Sequence, residues 1–178
     1  MTVSIESMPD LATREDEVLL LDLLNSTPVL NGVPQDLLVV DGGPAPWVQE
    51  QGGPGSAAEV AHLRLLRDTL QAVVRGDERP EALRPFLTGV HLLPTIHSGG
   101  LGWRLAVDDD RRLAARALVA WGRVQETMPG RLRPCANEEC RLFLLDRSKP
   151  NTARWCSMKV CGNRMKARRH YERARRID

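Results

Sequence analysis

The chain is short of aromatic side chains and has no long apolar run. Four Trp, two Phe and one Tyr serve 178 residues, so an apolar core has to rest on Leu, Val and Ala. No stretch approaches the roughly 18 consecutive apolar residues of a membrane-spanning helix, so no membrane association is expected. The opening MTVSIESMPDLATREDE is acidic and lacks the basic and apolar regions of a secretory signal, and the expected compartment is the cytoplasm. No spacing assembles a nucleophile, a base and a residue to orient them. The SGGLG segment lacks the strand-to-helix setting of a phosphate loop. An enzyme is therefore not expected. Cysteine is scarce too: there are four, all beyond residue 130.

Charge is plentiful but unevenly placed. The formal net charge is only +2. Residues 131–178 nevertheless carry 14 Lys or Arg against 5 Asp or Glu, while residues 1–130 carry 11 against 18. Such a division marks an interaction module attached to an ordinary domain. Only the basic part suits a polyanion.

Residues 1–130 read as a mainly helical domain. In ATREDEVLLLDLLNST, Thr13 and Asp16 form a capping pair, and Val18, Leu21 (or Leu20) and Leu24 recur at helical spacing. Residues 27–55 are rich in Pro and Gly and read as a partly ordered connection, in which DLLVV is a short strand or a helical turn. Ser56 and Glu59 form a capping box for a second helix with Val60, Leu63, Leu66, Leu70 and Val73 on one face, ended by Gly76. PEALRPFLTGV reads as a short helix. HLLPTIHSGGLGWRLAVD reads as a β-hairpin turning at Ser98-Gly99-Gly100. DDDRRLAARALVAWGRVQETM is a third long helix with a stripe of Leu113, Ala117, Trp121 and Val124. Met128-Pro129-Gly130 stops it. His62 and His91 read as structural histidines, His97 as a weak candidate for any role, and Trp47, Trp103 and Trp121 as packing residues.

The four cysteines follow the pattern C-x4-C, fifteen intervening residues, C-x4-C: Cys135, Cys140, Cys156 and Cys161. Two close pairs joined by a span long enough to fold back suit a tetrahedral ion. The reading is one structural Zn2+ held by all four. The span between the pairs is expected to fold as strands LFLL and ARW around an SKPN turn. Disulfides do not suit a cytoplasmic chain, and a redox dithiol normally has two intervening residues at a helix start. A reactive thiol beside Arg154, Lys159 or Arg164 and an iron–sulfur cluster are the other uses of these cysteines. Residues five apart on an α-helix are rotated by about 140° net and cannot both face one ion. Cys156 is thus placed before a helix capped by Ser157, whose first turn carries Cys161. The finger so drawn is treble-clef-like: knuckle, hairpin, then a helix bearing the last ligand. Gly162 is read as leaving room for the first knuckle.

The helix after Cys161 pairs a narrow apolar face (Val160, Ala167, Tyr171, Ala174) with a cationic circumference interrupted only by Glu172. Val160 and its companions are expected to pack on the finger or body. Repulsion on this scale makes sense when phosphates neutralise it, and the arginines suit bidentate recognition. The candidate nucleic-acid contacts are Arg154, Lys159, Arg164, Lys166, Arg168, Arg169, His170 and Arg173.

The motifs RWCSM (Arg154 to Met158), CGNR (Cys161 to Arg164), Phe143/Asp146/Ser148 and Lys166 to Arg169, with the two cysteine pairs, resemble the CGNR zinc-finger family. One extra residue between Phe143 and Asp146 departs from the tightest form of that pattern and leaves the strand register open. LLLDLLNST and LRLLRDTLQAVV are similar to the ABATE domain that precedes this finger in the family. The resemblance implies a stress-induced transcription regulator that binds DNA through its finger.

The expected molecule is thus mainly α with minor α+β character. A helical domain with a small hairpin spans residues 1–130, and a four-cysteine finger ending in a basic helix spans 131–178. DNA is the expected partner, with the N-terminal domain left to homodimerise, or to sense a small-molecule or protein effector. An RNA- or protein-binding zinc module and a zinc–thiolate redox switch are the alternatives.

Overall fold

In the computed structural model, residues 12–30, 32–39 and 46–175 are described. Helix α1 (Arg14–Leu24) opens on a complete capping box. The Thr13 hydroxyl accepts from the Asp16 N–H, and the Asp16 carboxylate accepts from the Thr13 N–H at 2.8 Å. Its buried face is Leu19, Leu20, Leu23 and Leu24, while Val18 is half exposed. The stripe therefore runs through Leu20, and Val18 does not belong to it. A three-to-four spacing fits either set, and only the position of the neighbouring helices selects one.

Two residues each form β1 (Val29–Leu30) and β2 (Val33–Pro34), a small antiparallel pair. Asp36 to Val39 is a turn rather than a strand; Val40 lies outside the described residues. A short helix α2 (Pro46–Glu50) follows, then α3 (Ala57–Arg75), which ends at Gly76 in the left-handed region, φ 86°. Ser56 caps α3 by accepting from Glu59 N–H, but the Glu59 carboxylate reaches past Ser56 to the Gly55 N–H at 2.7 Å. Leu63, Leu66 and Leu70 are fully buried on α3, with Val60 and Val73 at the edge of the core.

Polar side chains pin the connecting segment to α3. Arg67, only 3% exposed, donates to Asp36 at 2.6 Å and to the Ser26 hydroxyl at 3.3 Å. Gln71 Nε2 donates to the Leu24 carbonyl and to Thr27 Oγ1. These buried donors are matched one by one, as burial demands.

PEALRPFL is a 3-10 turn, Pro80–Leu87, in which Pro85 prevents a regular α-helix. The hairpin β3 (His91–His97) and β4 (Gly100–Ala106) turns on Ser98-Gly99, so Gly100 belongs to the strand. Its register sets Leu92 opposite Leu105, Pro94 opposite Trp103 and Ile96 opposite Leu101, giving one wholly apolar face. The end of that face is open: Ile96 is 80% exposed and Leu101 64%. Trp103, expected as a packing residue, is 42% exposed. Helix α4 (Arg112–Thr127) follows a 3-10 turn at Asp109–Arg111. Leu113, Ala117 and Val124 are buried as their spacing predicts, with Trp121 partly so.

Beyond α4, β5 (Leu132–Pro134) pairs antiparallel with β6 (Phe143–Leu145). The anticipated partner of LFLL was ARW, but residues 151–155 form no strand. Leu132 and Phe143 join the same buried cluster as α1, α3 and α4. The two strands thus extend the body's core, and the first cysteine loop hangs from their turn. The chain closes with one π-helical turn (Met158–Gly162) running into α5 (Asn163–Ala174). The whole is mainly helical with three small antiparallel pairs among the described residues. No helix of the described residues is long and apolar enough to cross a membrane.

Candidate metal centre

The sulfur atoms of Cys135, Cys140, Cys156 and Cys161 all lie within 4.8 Å of one another, and the cysteines are free. Cys140 to Cys156 and Cys156 to Cys161 are each 3.7 Å. Four thiolates around zinc, with bonds of about 2.3 Å, place their sulfurs about 3.8 Å apart. The donor set and its spacing fit: the four cysteines form a site for one structural zinc ion.

Each pair is presented by a different device. The first is a knuckle at the β5–β6 turn, closed by Cys140 N–H donating to the Asn137 carbonyl at 2.8 Å. Cys135 N–H donates across the hairpin to Leu142. The second pair straddles the π turn. Ser157 caps it by accepting from Val160 N–H, and the Gly162 N–H reaches back five residues to the Ser157 carbonyl at 3.0 Å. Ala136 N–H donates to the Arg154 carbonyl and stitches the two halves together. Cys156 thus precedes the helical turn and Cys161 sits within it, as the rotation argument requires. A Cβ at Gly162 would meet the Met158 thioether at 2.8 Å and the Trp155 ring at 3.3 Å. The space at Gly162 is therefore used by Met158 and Trp155, not by the first knuckle.

Hydrogen bonds to sulfur complete the centre. Asn137, 1% exposed, directs Nδ2 at Cys161 Sγ (3.6 Å), and Cys156 N–H points to Cys135 Sγ (3.5 Å). Such partners orient ligands and tune their basicity. Burial pushes the Cys140 thiol up to about 11 and raises Cys156 as well. Burial also opposes ionisation of Cys161, but hydrogen bonds from Asn137 and the other thiols outweigh it and bring Cys161 below the ordinary value. Ionising Cys140 and Cys156 thus needs the cation's own charge, and metal uptake must release protons. Asn137 was not identified from sequence; an Asn two residues after a cysteine, in a loop this tight, is the available signal.

Asp146 anchors the span between the pairs, in place of the missing strand. Its Oδ1 accepts from Ser148 N–H (2.8 Å), and its Oδ2 from Ala153 N–H (2.8 Å) and Arg133 Nη2 (2.6 Å). The Ser148 side chain, those backbone donors and the Arg133 charge hold this carboxyl down to about 2. At the turn, Asn151 adopts φ 51°, a left-handed conformation that Asn tolerates better than most residues. This explains why Asp and Ser stand two apart in the sequence motif. The four-cysteine cluster and these motifs together point to a zinc finger. Residues 131–174 match the CGNR zinc finger. No curated protein matches the chain.

The body grips this finger through polar contacts as well as through Phe143. Asn25, just after α1, acts as a strand edge: Phe143 N–H donates to its Oδ1 at 2.7 Å and its Nδ2 donates to the Phe143 carbonyl at 3.2 Å. Glu17 pairs with Arg147, and Arg75 lies over the Phe143 ring, 4.6 Å from its centre.

All eight nominated cations are exposed: Arg154, Lys159, Arg164, Lys166, Arg168, Arg169, His170 and Arg173. They are not equally available. Arg168 pairs with Glu172 (3.2 Å) and approaches Glu139 (3.7 Å). Arg168 and Arg169, with Met165, line the cleft where α5 meets the first cysteine loop. Arg154 lies over the Trp155 ring. Lys159, Arg164 and Lys166 have no acidic partner among the described residues. The apolar face anticipated for packing turns outward instead: Val160 is 54% and Tyr171 70% exposed, and Ala167 is exposed too. Met165, the long apolar side chain on the side of the knuckle, lines that cleft instead. Arg176 and the side chain of Ala174 lie outside the described residues. His62 packs edge-on against Phe86, and the side chain of His97 also lies outside the described residues.

Proposed function

We propose that this protein is a zinc-containing DNA-binding regulator of transcription. In this reading the finger is treble-clef-like and α5 approaches the duplex, while an ABATE-like N-terminal domain senses an effector or dimerises. It is a binding protein of the cytoplasm, not an enzyme. The observation that carries the reading is the open side of α5. There Lys166, without an acid to neutralise it, shares a face with His170 and Arg173, while Lys159 in the preceding turn and Arg164, on the face of the exposed Tyr171, stand without acids too. Phosphates supply the missing negative charge and dominate affinity, and one or two arginines are left for base edges. The zinc centre fixes the start of α5, so the cations are presented on a rigid element. The exposed Ile96–Leu101 end of the hairpin supports homodimerisation.

Binding of duplex DNA to the zinc-loaded protein, titrated against salt, tests the reading. The slope of log affinity against log salt should be about −0.9 per phosphate contacted. Replacing Lys166 and Arg173 together by Ala should reduce that slope by about 2, with zinc content unchanged. Arg168→Ala, which removes a cation already paired, should do less. Selection of bound sequences from random DNA then gives the site. If duplex DNA shows no salt-dependent binding while RNA does, RNA is the partner.

A further inference from the structure

Asn163 has no part in the metal centre, although it stands beside it at the start of α5. It is exposed, and its Nδ2 donates to the Lys159 carbonyl at 3.2 Å. A carbonyl only accepts, so this bond fixes which way the amide faces. It uses one of the two Nδ2 hydrogens. The other remains beside Oδ1, a donor next to an acceptor. Lys159 belongs to the π turn that carries Cys161, so the metal-binding segment holds this amide in place.

The circumference of α5 divides around this residue. Met165, Arg168, Arg169 and Glu172 lie on the side of the first cysteine loop. On the open side, at about 100° per residue, Lys166 and Arg173 form one cationic bank and Arg164 the other, about 160° away from Lys166. Between the banks runs a strip that carries Asn163 and Ala167, one turn apart and both exposed. No Lys or Arg stands on that strip. His170 borders it on the Lys166 side and Tyr171 on the Arg164 side.

A helix lodged in the major groove meets phosphates with its flanks and base edges with the strip between them. Resting on the DNA-binding reading above, we infer that α5 reads an A·T pair there. Asn163 Oδ1 accepts from adenine N6 and Nδ2 donates to adenine N7, while Ala167 packs on the methyl of a nearby thymine. Adenine presents one acceptor and one donor in this groove, which matches the free edge of the amide. Guanine presents two acceptors and suits Arg or Lys, and on α5 those stand on the banks.

Selection of bound duplexes from a random library by the full zinc-loaded chain, repeated with Asn163→Ala, tests this. The unaltered protein should select a site with a fixed A·T pair, and the variant should lose preference at that pair alone. Its zinc content and its salt slope on random duplex should be unchanged. In the selected site, 7-deazaadenine at that pair lacks the N7 acceptor. It should weaken the unaltered protein by about fivefold or more and leave Asn163→Ala within about twofold. Uracil in place of the nearby thymine removes the methyl and should cost about fourfold. Salt-dependent binding without a fixed A·T pair overturns the base contact and leaves the DNA reading standing. So does a loss spread over the whole site in Asn163→Ala, or indifference of the unaltered protein to 7-deazaadenine. Indifference to uracil at every thymine of the site overturns the role of Ala167. No salt-dependent binding to any duplex overturns both readings.

Discussion

Residues 12–127 bury leucine against leucine across three helices, whereas residues 131–162 bury few apolar side chains beyond Leu132, Phe143 and Leu144. What the second region has instead is a carboxylate accepting three hydrogen bonds, a knuckle of backbone hydrogen bonds and four converging sulfurs. The two regions also treat their buried acids differently. In the body, Glu59 keeps one oxygen without a partner, a cost that the surrounding apolar burial offsets. In the finger, Asp146 is the hub of its loop. The finger is not free of unpaired polar atoms, since Asn151 Oδ1 is buried there without a partner; what separates the two regions is how fully each one's buried acid is bonded.

The sharpest way to break this contrast is to remove the metal. Cys156→Ala should abolish the single equivalent of zinc, since apparent binding free energies of structural zinc sites are about 10–16 kcal/mol. Hydrogen exchange should then show residues 135–162 losing protection while α3 keeps it. If α3 loses protection equally, the two regions are one cooperative unit and the contrast is false.

Phe143 stands on the seam and makes the next largest test. It is 1% exposed and shares the core cluster of the helices. Phe143→Ala should cost about 3–5 kcal/mol, read by denaturant unfolding of the helical signal, with zinc still bound at one equivalent. Loss of zinc without loss of helical stability would assign Phe143 to the finger alone.

The seam is also where the sequence was hardest to read. Local signals carried the helices: Thr13-Asp16 and Gly76 act where their chemistry puts them, and the alternation around Ser98-Gly99 produced the hairpin. The cysteine spacing carried the metal site, because a tetrahedral ion constrains which thiols can meet. What local rules could not supply was long-range choice. Asn25 and Phe143 are 118 residues apart, and nothing in either neighbourhood says that an amide side chain will complete a strand edge. LFLL paired with Leu132–Pro134 rather than with ARW because Asp146 and Arg133 take the place of a strand over residues 146–153. On α5 an apolar face and a Met165 face are both helical periods, and the position of the knuckle chose the second.

The smallest effects come from the two acids, and they separate by pH. Asp146 is held at about 2, below the ordinary 3.8. Its stabilisation is therefore fully present above about pH 4 and is lost only as pH falls toward 2, well below the range in which thiolates retain zinc. Asp146→Asn should lower the melting temperature by the same several degrees at every pH from 5 to 8, because the carboxyl is ionised throughout. Glu59 lies on the other side of its ordinary 4.5. Burial, the largest influence, raises it and Asp110 adds to the rise, while the Gly55 hydrogen bond opposes both. Its contribution is present below about pH 4.5 and declines as pH rises through the raised value. Glu59→Gln, neutral at all pH, should therefore gain on the unaltered protein as pH rises over the same range. Thermal unfolding of both variants in one pH series checks the pair. A flat difference for Glu59→Gln, or a sloping one for Asp146→Asn, would show that the body and the finger do not treat buried charge in opposite ways.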